Sequence, residues 1–303
     1  MLSQSRNTPS FFIIGAQKAA TTFLHRCLID HPDIYMPHNE ISYFEDPDYH
    51  TEPFDKFLKQ FEQVSANKII GIKRPSYLYS KLTADRIKDR LQDVKILIVI
   101  RNPIERLISA CFHYMRFGFL PVDDINKIIP QLLDEVLKIA WPRSPEIIAY
   151  SKYFKQIDYY FNLFKRKNCL VLKQDDIRVN KIKELNKVYD FLGVDNSHKS
   201  VYLKTNPKAS IYSIPRLKFL VKGNRYEFTY FHDSKRLTNK YKNLSDKINI
   251  KIISGIDKIF YSKIYKNEKP KLSSANLRML KSKFLNDIHQ TSKLIDISLE
   301  DWK

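Results

Sequence analysis

The sequence predicts an α/β fold in which a P-loop-like central parallel sheet is flanked by helices within a single domain. Four short apolar runs have the length and composition of buried parallel strands: Phe11–Gly15, Ile69–Ile72, Lys95–Ile100 and Cys169–Lys173. Helical patterns separate or follow these runs: Thr22–Asp30, Phe54–Phe61, Ala84–Leu91, Ile104–Arg116, Tyr150–Lys165 and Ile182–Leu192. Strands that alternate with helices are typical of a parallel sheet, whose ligands bind beyond the carboxyl ends of the strands.

The first strand leads into a loop and a helix in "FFIIGAQKAATTFLHRCLIDHP", residues 11–32. Gly15 allows a sharp turn, and the helix start near Thr21 directs N–H groups and a positive dipole end at the loop. Lys18 adds a full charge, Thr21 and Thr22 add hydroxyls, and the small Ala19 and Ala20 allow close approach. The Walker A spacing is absent, so the loop Gln17–Thr22 suits a phosphate-like group other than an ATP γ-phosphate with Mg²⁺. An ordinary helix start beside an exposed lysine is the structural alternative.

The third predicted strand runs into an arginine in "KILIVIRNPIERLISACFHYMR", residues 95–116. Arg101 follows the strand, Asn102 and Pro103 make the turn, and Ser109 lies about two turns along the next helix. An arginine fork and a serine hydroxyl can together hold a second phosphate. A simple surface charge is the alternative for Arg101.

The remaining chain is less regular. Residues 117–145 have a proline near each end of the stretch and predict an inserted helical segment. From about residue 204 the chain is basic and aromatic, and it could be helix, lid or loop. The last stretch, residues 273–303, predicts a capped amphipathic helix anchored by Trp302. No internal repeat is present, so we expect one domain over residues 1–303, in which residues 204–303 form a basic C-terminal part.

The composition favours an acidic partner. The net charge of +19 in 303 residues suits a nucleotide, a nucleic acid, an anionic glycan or an anionic membrane surface, whereas a lysine-rich solvated surface is the alternative. Cys27, Cys111 and Cys169 show no metal-binding spacing and are expected to be core thiols in a reducing compartment. No apolar run reaches the length of a membrane span, so we expect a cytoplasmic protein.

The two anion-binding motifs together resemble the sulfotransferase superfamily. The first resembles its loop for the 5′-phosphosulfate of 3′-phosphoadenosine 5′-phosphosulfate (PAPS), and the second resembles its 3′-phosphate site. Further stretches resemble family segments in the same order: "MPHNEISYFED", "GIKRPSYLYS", "AYSKYFKQIDYYFNLF" with "CLVLKQDDI", "KTNPKAS", and the closing "LIDISLEDW". The resemblance covers about residues 10–302. It is closest to the glycan (heparan-sulfate-like) and bacterial branch.

The resemblance implies a reaction and roles for individual residues. Sulfuryl transfer from PAPS to a hydroxyl needs a base, and it needs positively charged groups that stabilise the negative charge on the leaving phosphate. It does not demand a metal. Lys18 and Lys73 match the lysines that face the transferred group, and Glu40 matches the base. The donor-binding residues would be Gln17, Lys18, Ala19, Ala20, Thr21, Thr22, Arg101 and Ser109. His38 and His113 are rival bases, ranked below Glu40.

Two departures from the family pattern affect the acceptor side. Asn39 stands where the family has lysine, and Arg74 stands where it has serine or threonine. Tyr153 matches the family's helix tyrosine and could equally be core packing. The basic and aromatic region from Lys204 and Lys208 through Phe228 could close over the donor and, with the 117–145 segment, line an acceptor groove.

The expected acceptor is a hydroxyl on a carbohydrate such as an acidic polysaccharide, with a small-molecule or lipid acceptor as the alternative. A basic nucleic-acid-binding protein is the non-enzyme alternative, although no nucleic-acid-binding motif is present and nucleic acid is not expected as a partner. The sequence leaves the oligomeric state open. A P-loop kinase is disfavoured by the missing Walker A spacing, and a catalytically inactive relative stays possible because of Asn39 and Arg74.

Overall fold

Five parallel strands form the central sheet of the computed structural model, which describes residues 7–205, 210–231, 236–240 and 242–303. The strands are β1 (Phe11–Gly15), β2 (Ile34–Tyr35), β3 (Ile69–Lys73), β4 (Lys95–Ile100) and β5 (Cys169–Lys173). A separate antiparallel pair follows near the end of the chain, β6 (Phe228–Phe231) and β7 (Arg236–Asn239). The four predicted strands are confirmed, three of them with the predicted bounds.

The helices also lie close to their predicted places. In chain order the α-helices are α1 (Thr21–Ile29), α2 (Asp48–Thr51), α3 (Phe54–Lys59), α4 (Lys81–Leu91), α5 (Pro103–Arg116), α6 (Ile125–Leu133), α7 (Ser144–Ala149), α8 (Phe154–Phe164), α9 (Gln174–Val179), α10 (Lys181–Leu192), α11 (Ile214–Leu220), α12 (Asn224–Glu227), α13 (Leu244–Ile256), α14 (Ser262–Ile264) and α15 (Ser274–Ile295). The largest displacement is at α8, which was predicted to begin at Tyr150 but begins at Phe154, because Tyr150 is the C-cap of α7.

The strand order is β2-β3-β1-β4-β5, so β1 lies in the middle of the sheet. After β1 the chain builds β2 and β3 on one side and then returns to the other side for β4 and β5. Ligands of parallel α/β sheets bind where the strand order reverses, beyond the carboxyl ends of the strands. The ends of β1, β3 and β4 meet at that point. The two-residue β2 was missed because it is too short to produce an alternation pattern.

The chain divides into two compact units. The first unit contains Met1–Asn102, Lys152–Pro207 and Asp287–Lys303, and it includes the whole parallel sheet. The second contains Pro103–Ser151 and Lys208–Asn286. The expected single domain over residues 1–303, with its insertion and C-terminal part, stays a prediction.

The core of the first unit consists of the sheet and its flanking helices. The side chains of β1 and β4 are almost entirely buried, as expected of strands covered on both faces. At Gly71 an added Cβ would lie 2.1 Å from the Phe11 ring, so β3 can pack beside this ring only with glycine there. Near the C-terminus Trp302 is buried and its indole N–H donates to Asp175 over 3.2 Å, which confirms the expected anchor.

The second unit is mainly helical. The 117–145 segment contains α6, and its assignment as an insertion stays a prediction. Arg106 on α5 is fully buried and donates to the Ser151 hydroxyl over 2.6 Å. The antiparallel pair β6–β7 lies within the basic and aromatic region, where the sequence pattern had left helix, lid and loop open. Lys208 lies outside the described residues.

All three cysteine thiols are free and buried, as predicted. Burial raises the pKa of Cys27 to about 11 and those of Cys111 and Cys169 to about 12. In the described ranges, no helix combines the length and apolar character that a bilayer crossing requires.

Candidate active site

The loop after β1 follows a sharply turned backbone path. The Ala16 N–H donates to the Val99 carbonyl over 2.6 Å, which ties the loop start to β4. Lys18 and Ala20 have φ values of 70° and 67°, so the backbone turns through the left-handed region twice in three residues. At Gly15 an added Cβ would lie 2.6 Å from the Leu78 Cβ, so glycine is required for this close approach.

The N-terminus of α1 is available to an anion. Ala20 precedes the helix, and no side chain among the described residues caps it. The first amides of an α-helix have no partner within the helix and carry its positive dipole end. Gln17 Oε1, in the same loop, is buried without a hydrogen-bond partner in the described structure. Thr22 is exposed here, whereas Thr21 is buried. This geometry fits the phosphate-binding loop predicted from Gln17 to Thr22.

Lys73 connects this helix start to Glu40. It ends β3, and only 5 % of its side chain is exposed. Its Nζ donates to Glu40 Oε1 over 2.7 Å and to the Thr22 hydroxyl over 3.2 Å. The structure therefore brings together three of the predicted site residues from three separate segments. The Glu40 side chain remains 39 % exposed, so a solvent-borne substrate can reach its carboxylate.

Buried Tyr77 fixes the backbone that carries Glu40. Its hydroxyl donates to the Ile41 carbonyl over 2.7 Å and accepts from the Phe44 N–H over 3.3 Å. Burial raises the pKa of Tyr77 well above its usual value, so the hydroxyl keeps its proton for this bond. The Ile41 N–H also donates to the Lys73 carbonyl over 3.4 Å. Sequence reasoning had not assigned Tyr77 a role, because a tyrosine that packs and one that holds a loop give the same pattern.

Arg74 is paired with Glu45, a residue that sequence reasoning had not singled out. The guanidinium donates from Nε and Nη2 to the two carboxylate oxygens of Glu45 over 3.1 and 2.5 Å. The Ser76 hydroxyl donates to the same carboxylate. Arg74 Nη1 lies 3.5 Å from Glu40 Oε2, at the edge of hydrogen-bond distance. The positive charge that Arg74 adds relative to the family pattern is thus largely neutralised by Glu45. No sequence spacing indicates that residues 45 and 74 pair.

His25 on α1 braces the segment before Glu40. Its Nε2–H donates to the Pro37 carbonyl over 2.9 Å, and the ring is buried. Burial, with a smaller contribution from the positive charge of Lys73, lowers the pKa of His25 to about 4. The imidazole is therefore neutral at physiological pH and acts as a hydrogen-bond donor.

Arg101 directly follows β4 and contacts the loop after β1. Its Nη1 donates to the Lys18 carbonyl over 3.1 Å. The Tyr153 hydroxyl donates to the Arg101 carbonyl over 2.8 Å, so this tyrosine both packs in the core and supports Arg101. Asp287 accepts from the Tyr153 N–H over 2.7 Å and from the Phe154 N–H over 3.2 Å, which caps the start of α8.

The remaining predicted residues are divided between the two units. Ser109 belongs to the second unit, where its buried hydroxyl lies 2.9 Å from that of Ser210, and its pairing with Arg101 stays a prediction. His113 is in the same unit, its ring 4.7 Å from that of Phe117. His38 is exposed in the first unit, as is Asn39. Across the described ranges, no cluster of three His, Cys, Asp or Glu side chains is arranged to hold a metal ion.

Comparison with known proteins identifies the family. Residues 8–201 match the family described as "Sulfotransferase domain". Human heparan sulfate glucosamine 3-O-sulfotransferase 3B1 is 24% identical over 63% of this chain and 48% of its own length. Membrane-associated sulfotransferase kil1 from Dictyostelium discoideum is 34% identical over 35% of this chain and 23% of its own length. The chain thus spans about a quarter to a half of these curated relatives.

A solved structure shows the same fold over nearly the whole chain. The crystal structure of a sulfotransferase from Alicyclobacillus acidocaldarius superposes with a TM-score of 0.68 and 20% identity, covering 97% of this chain and 98% of that one. The fold is thus the predicted α/β type with a P-loop-like parallel sheet flanked by helices. With the sequence match over residues 8–201, this chain belongs to the sulfotransferase family.

Proposed function

We propose that this protein transfers a sulfuryl group from PAPS to an acceptor hydroxyl, with Glu40 as the base. The observation that carries the proposal is the position of Lys73 Nζ, which contacts both Glu40 and Thr22. The buried Lys73 ammonium thus connects Glu40, which takes the proton, to the start of α1, which holds the donor. Family membership supports the reaction type.

The donor fits the residues that are present. The uncapped start of α1, with Lys18, Thr21 and Thr22, provides N–H, hydroxyl and ammonium groups for the 5′-phosphosulfate. Gln17, Ala19 and Ala20 shape the same loop. Arg101 is held against this loop through the Lys18 carbonyl, and it would bind the 3′-phosphate. The two lysines and the helix dipole supply the positive charge that the leaving phosphate requires.

The transfer uses one proton acceptor and one leaving group. Glu40 takes the proton of the acceptor hydroxyl as its oxygen bonds to sulfur. The bond between sulfur and the bridging phosphate oxygen breaks, and the electron pair stays with the 3′-phosphoadenosine 5′-phosphate (PAP) product. Lys18 and Lys73 stabilise the charge on that oxygen. Lys73 thereby passes from its Glu40 contact to the leaving group as Glu40 becomes neutral.

We propose a hydroxyl of an anionic carbohydrate chain as the acceptor. Several similar proteins are named for heparan sulfate, including the bifunctional N-deacetylase/N-sulfotransferase 1 of Xenopus tropicalis, 27% identical over 64% of this chain. The net charge of +19 also favours an anionic polymer. A small-molecule or lipid acceptor is the alternative. The cytoplasmic location stays a prediction.

Incubation with ³⁵S-labelled PAPS and a panel of acceptors tests the proposal. The panel contains desulfated and N-sulfated glycosaminoglycans, simple alcohols and phenols, and a hydroxylated lipid. We expect label on a polysaccharide, with transfer slowed about 100-fold or more by Glu40→Gln. Glu62→Gln, at an exposed glutamate of the same unit, is the matched control and should leave the rate unchanged.

Each outcome has a distinct meaning. Label on an alcohol or lipid alone would replace the carbohydrate acceptor and keep the reaction. Full activity of Glu40→Gln would remove Glu40 as the base. Absence of PAP binding by the folded protein would overturn the PAPS-dependent reaction itself.

A further inference from the structure

A helical run in the second unit exposes an unusual number of large apolar side chains. The run consists of α13, a π-helical turn at Asp257–Tyr261 and α14. We call its exposed apolar residues the outer stripe; they are between 48 % and 75 % exposed and comprise Leu244, Ile248, Ile252, Ile259, Phe260 and Ile264. Leu244, Ile248 and Ile252 are four residues apart and therefore lie on one helix face. Exposed apolar groups that are contiguous in this way mark interaction surfaces.

The opposite face of this run is held by polar contacts within the second unit. Asp257 accepts two hydrogen bonds from Arg216, over 2.9 and 2.8 Å. Asp246 is buried and lies 3.4 Å from the Lys240 ammonium. The Tyr261 ring stacks on Phe219 with centroids 4.4 Å apart. These contacts fix the rotation of the run about its own axis. The outer stripe therefore faces away from the rest of the second unit.

Lysines accompany the outer stripe. Lys247, Lys251, Lys258 and Lys263 are all exposed, and each directly precedes a stripe residue in the sequence. Their spacing places the first three along one side of the stripe. The two aspartates of the run lie on the anchored face instead. Within the described ranges, none of these four lysines is paired with a carboxylate.

We propose that the outer stripe binds the surface of a lipid bilayer that contains anionic lipids. A helix of about 21 residues, about 30 Å long, would lie in the plane of the interface. The aliphatic side chains enter the boundary between headgroups and acyl chains, and the lysines contact lipid phosphates and carboxylates. The proposal concerns a surface of the second unit and does not depend on the assignment of donor or acceptor.

The chemistry of the stripe favours a bilayer over two other occupants. An anionic polysaccharide could pair with the lysines, but it offers no apolar phase for six large side chains. A second copy of the chain could cover the apolar groups. A two-fold contact would, however, place one lysine-flanked stripe against another with no carboxylate on either to neutralise it. A bilayer with anionic headgroups satisfies both parts of the surface.

Vesicle co-sedimentation of the full chain tests the proposal. Vesicles of phosphatidylcholine mixed with phosphatidylserine should bind the protein, and pure phosphatidylcholine should bind it far more weakly. The double variant Ile248→Ser with Ile252→Ser should weaken binding about tenfold or more, because less apolar surface is buried. The matched control is Val179→Ser with Ile182→Ser, two exposed apolar residues of the first unit at 88 % and 52 %, and it should bind like wild type.

Charge variants test the lysine contribution separately. Changing Lys247, Lys251 and Lys258 to Gln should lower binding to anionic vesicles about fivefold per lysine and reduce its salt dependence. The control is a triple variant in which Lys59, Lys167 and Lys183 are changed to Gln, so that the same net charge is lost outside the stripe. It should reduce vesicle binding much less, which separates a local contact from the effect of total charge.

The depth of binding and the oligomeric state complete the test. An environment-sensitive dye on Ile252→Cys should shift to shorter emission wavelength on anionic vesicles, since the native thiols are buried. Equal vesicle binding by the stripe variant and wild type would overturn the proposal, as would absence of binding to anionic vesicles. A wild-type dimer that dissociates in the stripe variant would assign the surface to a second copy instead.

Discussion

The Lys73 ammonium lies 2.7 Å from Glu40 and 3.2 Å from the Thr22 hydroxyl. Lys73 is at the end of β3, Glu40 is in the segment after β2, and Thr22 is in the first turn of α1. Burying the Lys73 ammonium costs desolvation free energy, which the ion pair with the accessible Glu40 carboxylate offsets. We interpret this pair as the resting state of the catalytic centre.

Removal of the Lys73 charge should lower the rate of sulfuryl transfer by a larger factor than it lowers the affinity for the donor. Lys73→Met keeps most of the side-chain volume, and Glu40 can be hydrated because it is partly exposed. We expect the rate of ³⁵S transfer to fall about 100- to 1,000-fold, as for loss of one positioned donor to a developing charge. Calorimetry with PAP should show a smaller loss of affinity.

Lys59→Met, at an exposed lysine of the same unit, is the control for loss of charge alone. Thermal unfolding by circular dichroism must show that Lys73→Met is folded at the assay temperature. A folded Lys73→Met protein with wild-type transfer rate would contradict the role of Lys73.

Arg101 should contribute directly to donor binding. Its guanidinium is at the loop that follows β1, and hydrogen bonds to charged groups contribute about 1.5–3 kcal/mol each. Arg101→Ala should therefore weaken PAP binding at least 10-fold in isothermal titration calorimetry. Arg26→Ala, an exposed arginine in the last turn of α1, should bind PAP like wild type.

A graded variant distinguishes contact from positioning at this site. Tyr153→Phe removes the bond to the Arg101 carbonyl and keeps the guanidinium. We expect a loss of PAP affinity smaller than that of Arg101→Ala. If both variants bind PAP like wild type, Arg101 is not part of the donor site.

The Arg74–Glu45 pair should stabilise the segment that carries Glu40. The two side chains are 25% and 18% exposed, so their interaction is only partly screened by solvent. Removing one partner leaves the other charge half-buried. We expect Arg74→Met and Glu45→Gln each to lower the free energy of unfolding by about 1–3 kcal/mol in urea denaturation.

The double variant measures the coupling of this pair. If the two residues act together, the combined loss should be smaller than the sum of the single losses by about 1 kcal/mol or more. The exposed pair Lys138–Glu135 provides a comparison in which little coupling is expected. Additive losses at Arg74 and Glu45 would show that the pair contributes no interaction energy.

Stability should fall in mild acid because of His25. Its pKa is about 4 in the folded protein against about 6.5 when unfolded. Between these two pKa values the unfolded chain binds more protons than the folded protein, so the free energy of unfolding increases as the pH rises. The stability that neutral His25 contributes is therefore lost as the pH falls from about 6.5 towards 4. The full effect is about 3 kcal/mol.

His25→Gln keeps a donor for the Pro37 carbonyl and cannot titrate in this range. Urea unfolding at pH 7.5, 6 and 5 should show a flatter pH dependence for this variant than for wild type. His289→Gln, at an exposed histidine, should retain the wild-type slope. Identical slopes for wild type and His25→Gln would refute the assignment.

Several parts of the site were predictable because they depend on neighbours in the sequence. A strand, a glycine turn and a helix start within residues 11–32 predict an anion-binding loop from local geometry alone, and the structure has the strand, the turn and the helix start in these places. Lys73 and Glu40 were predicted through the family resemblance, since nothing in their separation of 33 residues indicates contact. Glu45, Tyr77 and Asp287 were missed because each acts through a distant partner.

We could predict from the sequence four of the five strands of the parallel sheet, the helices that follow them, the positions of the loop at Gln17–Thr22 and of Arg101, and the basic character of the chain. These properties follow from apolar periodicity, turn residues and counted charges. The tertiary structure decided which charges meet: Lys73 with Glu40, Arg74 with Glu45, and the Arg101 guanidinium with the Lys18 carbonyl. It also decided that the lysine-flanked apolar stripe of the 244–264 run faces outward, because its aspartates are held by Arg216 and Lys240. Pairing between distant residues depends on how the elements pack, and the one-dimensional pattern does not contain that information.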